Sequence, residues 1–201
     1  MAMTILYPVG QHLYVNLTNK CPCACTFCIR QNGDGAYGSD SLWLEHDPDL
    51  DEIKAAFAKW DLSQFTELVF CGYGEPTEAL PMLLRTAKYA KTLPGCPPIR
   101  LNTNGLSDLI HGEPTASQFA GLIDTVSISL NAGTEKEYMA VTRPKWDNAF
   151  EAMQKFALDC KKYVPKVMFT VVDVIPQSEI EAAQAVADRL GIPLRVRKYD
   201  S

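Results

Sequence analysis

Four of the chain's seven cysteines fall inside CPCACTFC, residues 21–28. Cys21, Cys25 and Cys28 have the spacing C-x3-C-x2-C, with Cys23 inside the first interval. Thiols this close on one short loop can converge as thiolates on a single metal centre. An odd number of cysteines with four of them clustered makes a poor disulfide framework. A zinc site would usually take a second pair of ligands further along the chain. His46, Cys71 and Cys96 stand at hand but form no recognisable pair. A four-thiolate iron–sulfur site is open if Cys23 joins through a tight bend. A cluster held by three cysteines would instead leave one iron free for a substrate or cofactor. Cys71, Cys96 and Cys160 stand alone, and Cys96 and Cys160 read as small buried hydrophobes.

The elements around this loop alternate. Strand candidates lie at 13–18, 67–72, 99–105, 125–131, 166–174 and 194–199. Helix candidates lie at 49–60, 76–93, 115–123, 146–163 and 178–190, the last closed by Gly191. Pro76 suits a first helical turn. Strand–helix alternation predicts parallel strands joined by right-handed crossovers. There is no linker or repeat, so residues 1–201 read as one α/β domain, with 31–47 as its longest irregular loop.

Parallel strands covered on both faces should be continuously apolar. Here they are not. Asn16 and Thr18, Arg100, Asn102 and Asn104, Ser127, Ser129 and Asn131, and Arg195, Arg197 and Tyr199 alternate with apolar neighbours. Period two puts each polar set on one face. Helices can cover the apolar face, while the polar face must meet water or a shared cavity, since an unpaired buried polar group costs about 1–3 kcal/mol. A flat sheet with one wet face would satisfy this. A curled sheet with a polar lumen around a large ligand satisfies it better. Six strands are too few for a closed eight-stranded barrel, so the expectation is a partial (βα)6 barrel, open on one side. Its cysteine loop follows the first strand, at the end where such barrels place their chemistry.

These segments together resemble the radical SAM superfamily. C-x3-C-x2-C carries Phe27 just before its last cysteine. GYGEP (72–76) resembles the family's GGEP segment, LNTNG (101–105) its TNG segment, and SISLNA (127–132) its serine-bearing fourth strand. YPVGQHLYVNLTNKCPCACTFCIR, with LNA and TRP later, is most similar to the small stand-alone members linked to TatD-type nucleases. The resemblance implies a [4Fe–4S] cluster on Cys21, Cys25 and Cys28, and S-adenosylmethionine on its open iron. It implies reductive cleavage to a 5′-deoxyadenosyl radical that abstracts a hydrogen atom from a substrate. Implied cofactor contacts are Phe27 over the cluster, the Gly72–Tyr73–Gly74 turn for the methionine ammonium, and Glu75 ordering that turn. Asn102 and Asn131 fall to the ribose, Ser129 to the ribose or the carboxylate, Arg143 to the carboxylate and Val172 to the adenine, with Arg197 reaching adenine or substrate. The sequence departs from the family at Tyr73, where a glycine is usual, and at the additional Cys23.

An electron donor such as a flavodoxin or ferredoxin would be a partner. Loop 31–47, with Trp43 and His46, is the expected substrate or partner surface, and a protein or peptide substrate would dock at the open side. Glycyl-radical activation, a non-catalytic iron–sulfur electron carrier and a zinc-stabilised domain are the other readings. A net charge of −5 without a Lys/Arg block gives no clear nucleic-acid signal. No apolar run nears the ~20 residues of a membrane span. No export signal is visible, so a cytoplasmic location and reduced thiols are expected.

Overall fold

A computed structural model describes residues 3–199. Its sheet has seven strands in sequential order: β1 (Leu6–Val9), β2 (His12–Val15), β3 (Glu67–Phe70), β4 (Ile99–Thr103), β5 (Thr125–Ser129), β6 (Lys166–Val172) and β7 (Leu194–Arg197). The six strands β2 to β7 pair in parallel, as alternation predicts. β1 is an addition that sequence reading passed over. It pairs antiparallel with β2 across a tight turn at Gly10. Pro8 lacks an N–H, which an edge strand tolerates.

Helices α1 (Leu50–Phe57), α2 (Leu80–Ala90), α3 (Ser107–His111), α4 (Glu135–Thr142), α5 (Ala149–Cys160) and α6 (Gln177–Leu190) fill the crossovers. α1 opens with a capping box, Asp49 accepting from the Asp51 and Glu52 amides while Glu52 accepts from Asp49. The expected helix at 115–123 is only a short 3-10 turn, Ala116–Phe119, since the segment is too brief to add a second turn of bonds. α3 and α4 were not expected.

Register shows the two faces. Leu13, Leu68 and Ile99 lie side by side, as do Val15, Phe70, Leu101, Val126 and Val167, and then Thr103, Ile128 and Phe169, and all are buried beneath helices. Ile53, Leu83, Phe156 and Ala187 meet them from the helix side. The opposite face carries Tyr14, Arg100, Asn102, Ser127, Ser129, Arg195 and Arg197.

That face is concave. In a flat sheet β7 would lie five strand spacings, about 24 Å, from β2. Instead Arg197 on β7 acts electrostatically on Tyr14 of β2, and Asn32 Nδ2 donates to the Tyr199 hydroxyl at 2.9 Å. The sheet curls so that the loop after β2 meets the chain beyond β7, yet β1 and β7 do not pair. This is the partial barrel with a polar lumen.

Phe169, fully buried on the helix-covered face, and its neighbour Met168, half-buried on the concave face, test the division. Phe169→Ala should cost about 3–5 kcal/mol in urea unfolding and Met168→Ala about 1 kcal/mol or less. Equal costs would contradict the one-sided core.

Candidate active site

The thiol loop leaves β2 at the carboxyl end of the sheet, and backbone bonds to a second loop hold it. The Ala24 amide donates to Thr142 O at 3.0 Å, Thr26 N to Val141 O at 2.8 Å and Lys145 N to Pro22 O at 3.1 Å, while Cys23 and Pro144 form an antiparallel bridge. The partner segment is the end of α4, which stops at Arg143 in a left-handed conformation, φ +46°. A non-glycine residue there is strained, and such residues concentrate at functional sites. Arg143 is an exposed residue whose backbone lies against the thiol loop.

Burial separates the four thiols. Cys21, Cys25 and Cys28 are half-buried, while Cys23 is 6% exposed and turned inward, 3.8 Å from Asn104 Nδ2. Cys23 lies within hydrogen-bonding reach of both Cys21 and Cys25. Donation from Cys23 holds those two thiols below the ordinary thiol range, with Arg30 adding to the effect. The same two bonds, with burial, push Cys23 far up. Cys28 begins a 3-10 turn, Ile29–Gln31. Among the described residues no three Cys, His, Asp or Glu side chains are gathered as a formed metal site. The donor set nonetheless suits an iron–sulfur cluster: three accessible thiols on eight residues, two of them biased toward thiolate.

The turn after β3 is stitched to the same loop. Cys71 N donates to Val15 O at 3.0 Å and Glu75 N to Lys20 O at 2.8 Å. This approach is close enough that a Cβ on Gly72 would strike the Asn16 side chain, and one on Gly74 the carbonyls of Thr18 and Lys20. Both glycines are required by packing alone. The Glu75 carboxylate is buried and accepts four bonds, from Thr77 N, Thr77 Oγ1, Thr103 Oγ1 and Asn104 N, at 2.7–3.1 Å. Burial pushes its carboxyl above the usual range, and these donors pull it back. Glu75 thus welds the end of β3 to the end of β4 and faces protein rather than open space.

Tyr73 explains its own departure from the family pattern. Its side chain is 3% exposed and points into loop 31–47, with its hydroxyl on Gly33 O at 2.7 Å and its ring edge-on to Trp43 at 5.1 Å. Tyr7, Ala36, Leu42 and Tyr73 make a second small core on the concave side. Asn16 Nδ2 donates to Leu42 O at 2.8 Å, and Arg30 stacks 5.6 Å over Trp43. The loop is therefore a lid folded over the β1–β3 side of the lumen. Trp43 anchors it, while His46 turns away to Glu52 at 3.0 Å.

The remaining expected residues line the curl. Ser129 is half-buried at the end of β5, and Asn131 follows it at φ +62°. Val172 and Arg197 are paired across β6 and β7. Phe27 is half-buried on the thiol loop itself. Asn102 lies lower, with an orphaned Oδ1. Sequence reading missed Thr103, Arg30 as a lid residue, and the 141–145 backbone that carries the thiol loop.

Two changes test this construction. Glu75→Gln turns an NH2 toward at least one of four donors and should lower unfolding free energy by about 1–3 kcal/mol; unchanged stability would refute the weld. Tyr73→Ala should release the lid and speed limited proteolysis within 31–47 by about tenfold, a local effect. An unchanged cleavage rate there would show that Tyr73 does not hold it.

A sequence model described as Radical SAM superfamily matches residues 15–188. No curated protein matches the chain. Among solved structures, SuiB of Streptococcus suis bound to precursor peptide SuiA is similar with TM-score 0.66 at 14% identity, over 97% of this chain and 40% of that one. HydG, a maturase of the [FeFe]-hydrogenase, has TM-score 0.63 at 12% identity, over 94% of this chain and 42% of that one. Methylornithine synthase (PylB) has TM-score 0.60 at 11% identity, over 94% and 53%. The chain thus spans between about two fifths and half the length of these structures, and at such identities the likeness is one of fold. With the family model running from the last residue of β2 through the thiol loop and strands β3 to β6, over most of the chain, the chain belongs to the radical SAM superfamily, whose cofactors are a [4Fe–4S] cluster and S-adenosylmethionine.

Proposed function

We propose that the chain is a radical SAM enzyme in which Cys21, Cys25 and Cys28 hold the cluster and Cys23 does not. The difference in burial carries this reading: Cys21, Cys25 and Cys28 are half-buried on the thiol loop, while Cys23 is buried behind Cys21 and Cys25 with Asn104 Nδ2 at 3.8 Å. Bound there, the cluster and S-adenosylmethionine supply a 5′-deoxyadenosyl radical able to take a hydrogen atom from a substrate. The rest is positioning by the protein.

The Gly72–Gly74 turn offers backbone carbonyls to the methionine ammonium, with Glu75 and the Val15 and Lys20 carbonyls fixing where the turn stands. The exposed Arg143 guanidinium suits the methionine carboxylate. Ser129 and Asn131 suit the ribose, and Val172 the adenine face. Phe27 shields the cluster from water. The lid covers the β1–β3 side and reaches Tyr199 beyond β7 through Asn32, so a substrate enters through the part of the mouth that the lid leaves uncovered. That SuiB has been solved with a precursor peptide supports a peptide as one candidate substrate. A small one-electron carrier such as a flavodoxin or ferredoxin is the expected reductant. Among the described residues no helix is long and apolar enough to cross a membrane.

Anaerobic reconstitution with iron and sulfide, reduction, and assay of 5′-deoxyadenosine from S-adenosylmethionine test the reading. Wild type should bind about four irons per chain and form the product. Cys25→Ala and Cys28→Ala should fall to background in product and lose most iron, while Cys23→Ala keeps its iron. Loss of iron in Cys23→Ala equal to that in Cys25→Ala would indicate a four-thiolate site and remove the enzyme reading.

A further inference from the structure

Below the mouth, the lumen holds polar atoms that the protein leaves unanswered. The buried side-chain atoms without a hydrogen-bond partner are Asn16 Oδ1, Thr86 Oγ1, Arg100 Nε, Asn102 Oδ1 and Arg197 Nε among the described residues. Three of these belong to one place. Arg100 and Asn102 are on the concave face of β4, and Arg197 is on the concave face of β7. Both guanidiniums lie within electrostatic reach of the Cys71 thiol and of Tyr14, and Asn102 hydrogen-bonds Cys71. Residues from opposite sides of the curl therefore converge on the Cys71–Asn102 level.

The charges there do not balance. Arg100 is 3.1 Å from Glu67, its side chain only 12% exposed. Glu67 is shared with His12, at 3.5 Å. Among the described residues Arg197 has no salt-bridge partner and no side-chain hydrogen bond. Two guanidiniums with one shared carboxylate leave a net positive charge in a partly desolvated space, where an unpaired charge is costly. An orphaned N–H on each arginine calls for an acceptor, and the orphaned oxygen of Asn102 calls for a donor.

The geometry points to a substrate subsite formed by Arg100, Asn102 and Arg197 that takes an anionic group, carboxylate or phosphate, on a molecule bearing a hydroxyl or amine beside it. This rests on the radical SAM reading and narrows its substrate class. The anion is not the methionine carboxylate. Asn102 and Arg100 stand about 7 Å and about 13 Å down the strand from Asn104, which touches Cys23, whereas Arg143 waits at the mouth itself. Arg197 and Arg100 bind the anion by charge-assisted bonds, and Asn102 Oδ1 accepts from the neighbouring hydroxyl or amine. The lower subsite orients the substrate, leaving its far end toward the cofactor.

Ligand-observed NMR titration on the purified chain at low salt tests this, using lactate, propionate, lactamide and inorganic phosphate as probes, with and without the reconstituted cluster. Lactate should bind more tightly than propionate, and lactamide should not bind. Arg197→Gln should weaken lactate and phosphate about tenfold or more, with Arg197→Lys recovering part of it. Asn102→Ala should erase the advantage of lactate over propionate. Arg197 lies on an edge strand, so its variants should melt like wild type, which circular dichroism checks. No binding of lactate or phosphate to wild type, or unchanged binding in Arg197→Gln, overturns the subsite. Displacement of lactate by S-adenosylmethionine also overturns it, giving the arginine to the cofactor. Because one arm of the titration reads binding on cluster-free protein, a chain that fails to cleave S-adenosylmethionine yet binds lactate would refute the enzyme reading and not the subsite, and the reverse outcome the subsite alone.

Discussion

Six parallel strands clothed by helices on one face leave the polar side chains of the other face to answer one another. That constraint organises the molecule. Leu13, Phe70, Leu101, Ile128 and Phe169 pack under helices and set the outer wall. Tyr14, Arg100, Asn102 and Arg197 then lie on a face that no helix covers and are only partly open to water. Curling the sheet gathers them, Arg197 coming within electrostatic reach of Tyr14 across the lumen. A flat sheet of the same residues would keep these groups apart and wet. The curl turns a solvation problem into a binding cavity.

Much of this was legible because it follows from period two and from spacing. Apolar and polar positions alternate along residues 99–104 and 125–131, and the face each set takes is fixed by that alternation. The cysteine loop announced itself by residue type, and its place followed from the strand before it. What escaped had weaker local signals. β1 contains Pro8, which interrupts a strand pattern, and its hairpin at Gly10 is read only once β2 is placed. α4 begins with Thr134 followed by Glu137, a capping pattern, and Thr134 does accept from the Glu137 amide. Its apolar positions are too sparse to stand out. The reverse error at 115–123 came from crediting composition where length allowed only a single turn.

The site itself was readable in kind and not in detail. Residue type predicted that Glu75 would order the turn, and it does so by four bonds that no spacing rule specifies, two of them to residues 103 and 104. Tyr73 looked like an irregularity of the glycine turn. Its meaning lies 40 residues away, where Gly33 receives its hydroxyl. Long-range pairings of this sort depend on how loops fold back, which local sequence does not encode. Arg30 and Trp43 belong to the same class: each reads as a surface residue until the lid brings them together.

The anchoring of the thiol loop has an energetic consequence. Its backbone is bound to residues 141–145 on one flank and, through Lys20 and Glu75, to the ends of β3 and β4 on the other. The peptide frame around the first two half-buried cysteines is thus rigid before any prosthetic group arrives. The ordering penalty of assembly falls on a short arc ending at Cys28, so most of the entropy that capture would otherwise cost has already been met during folding.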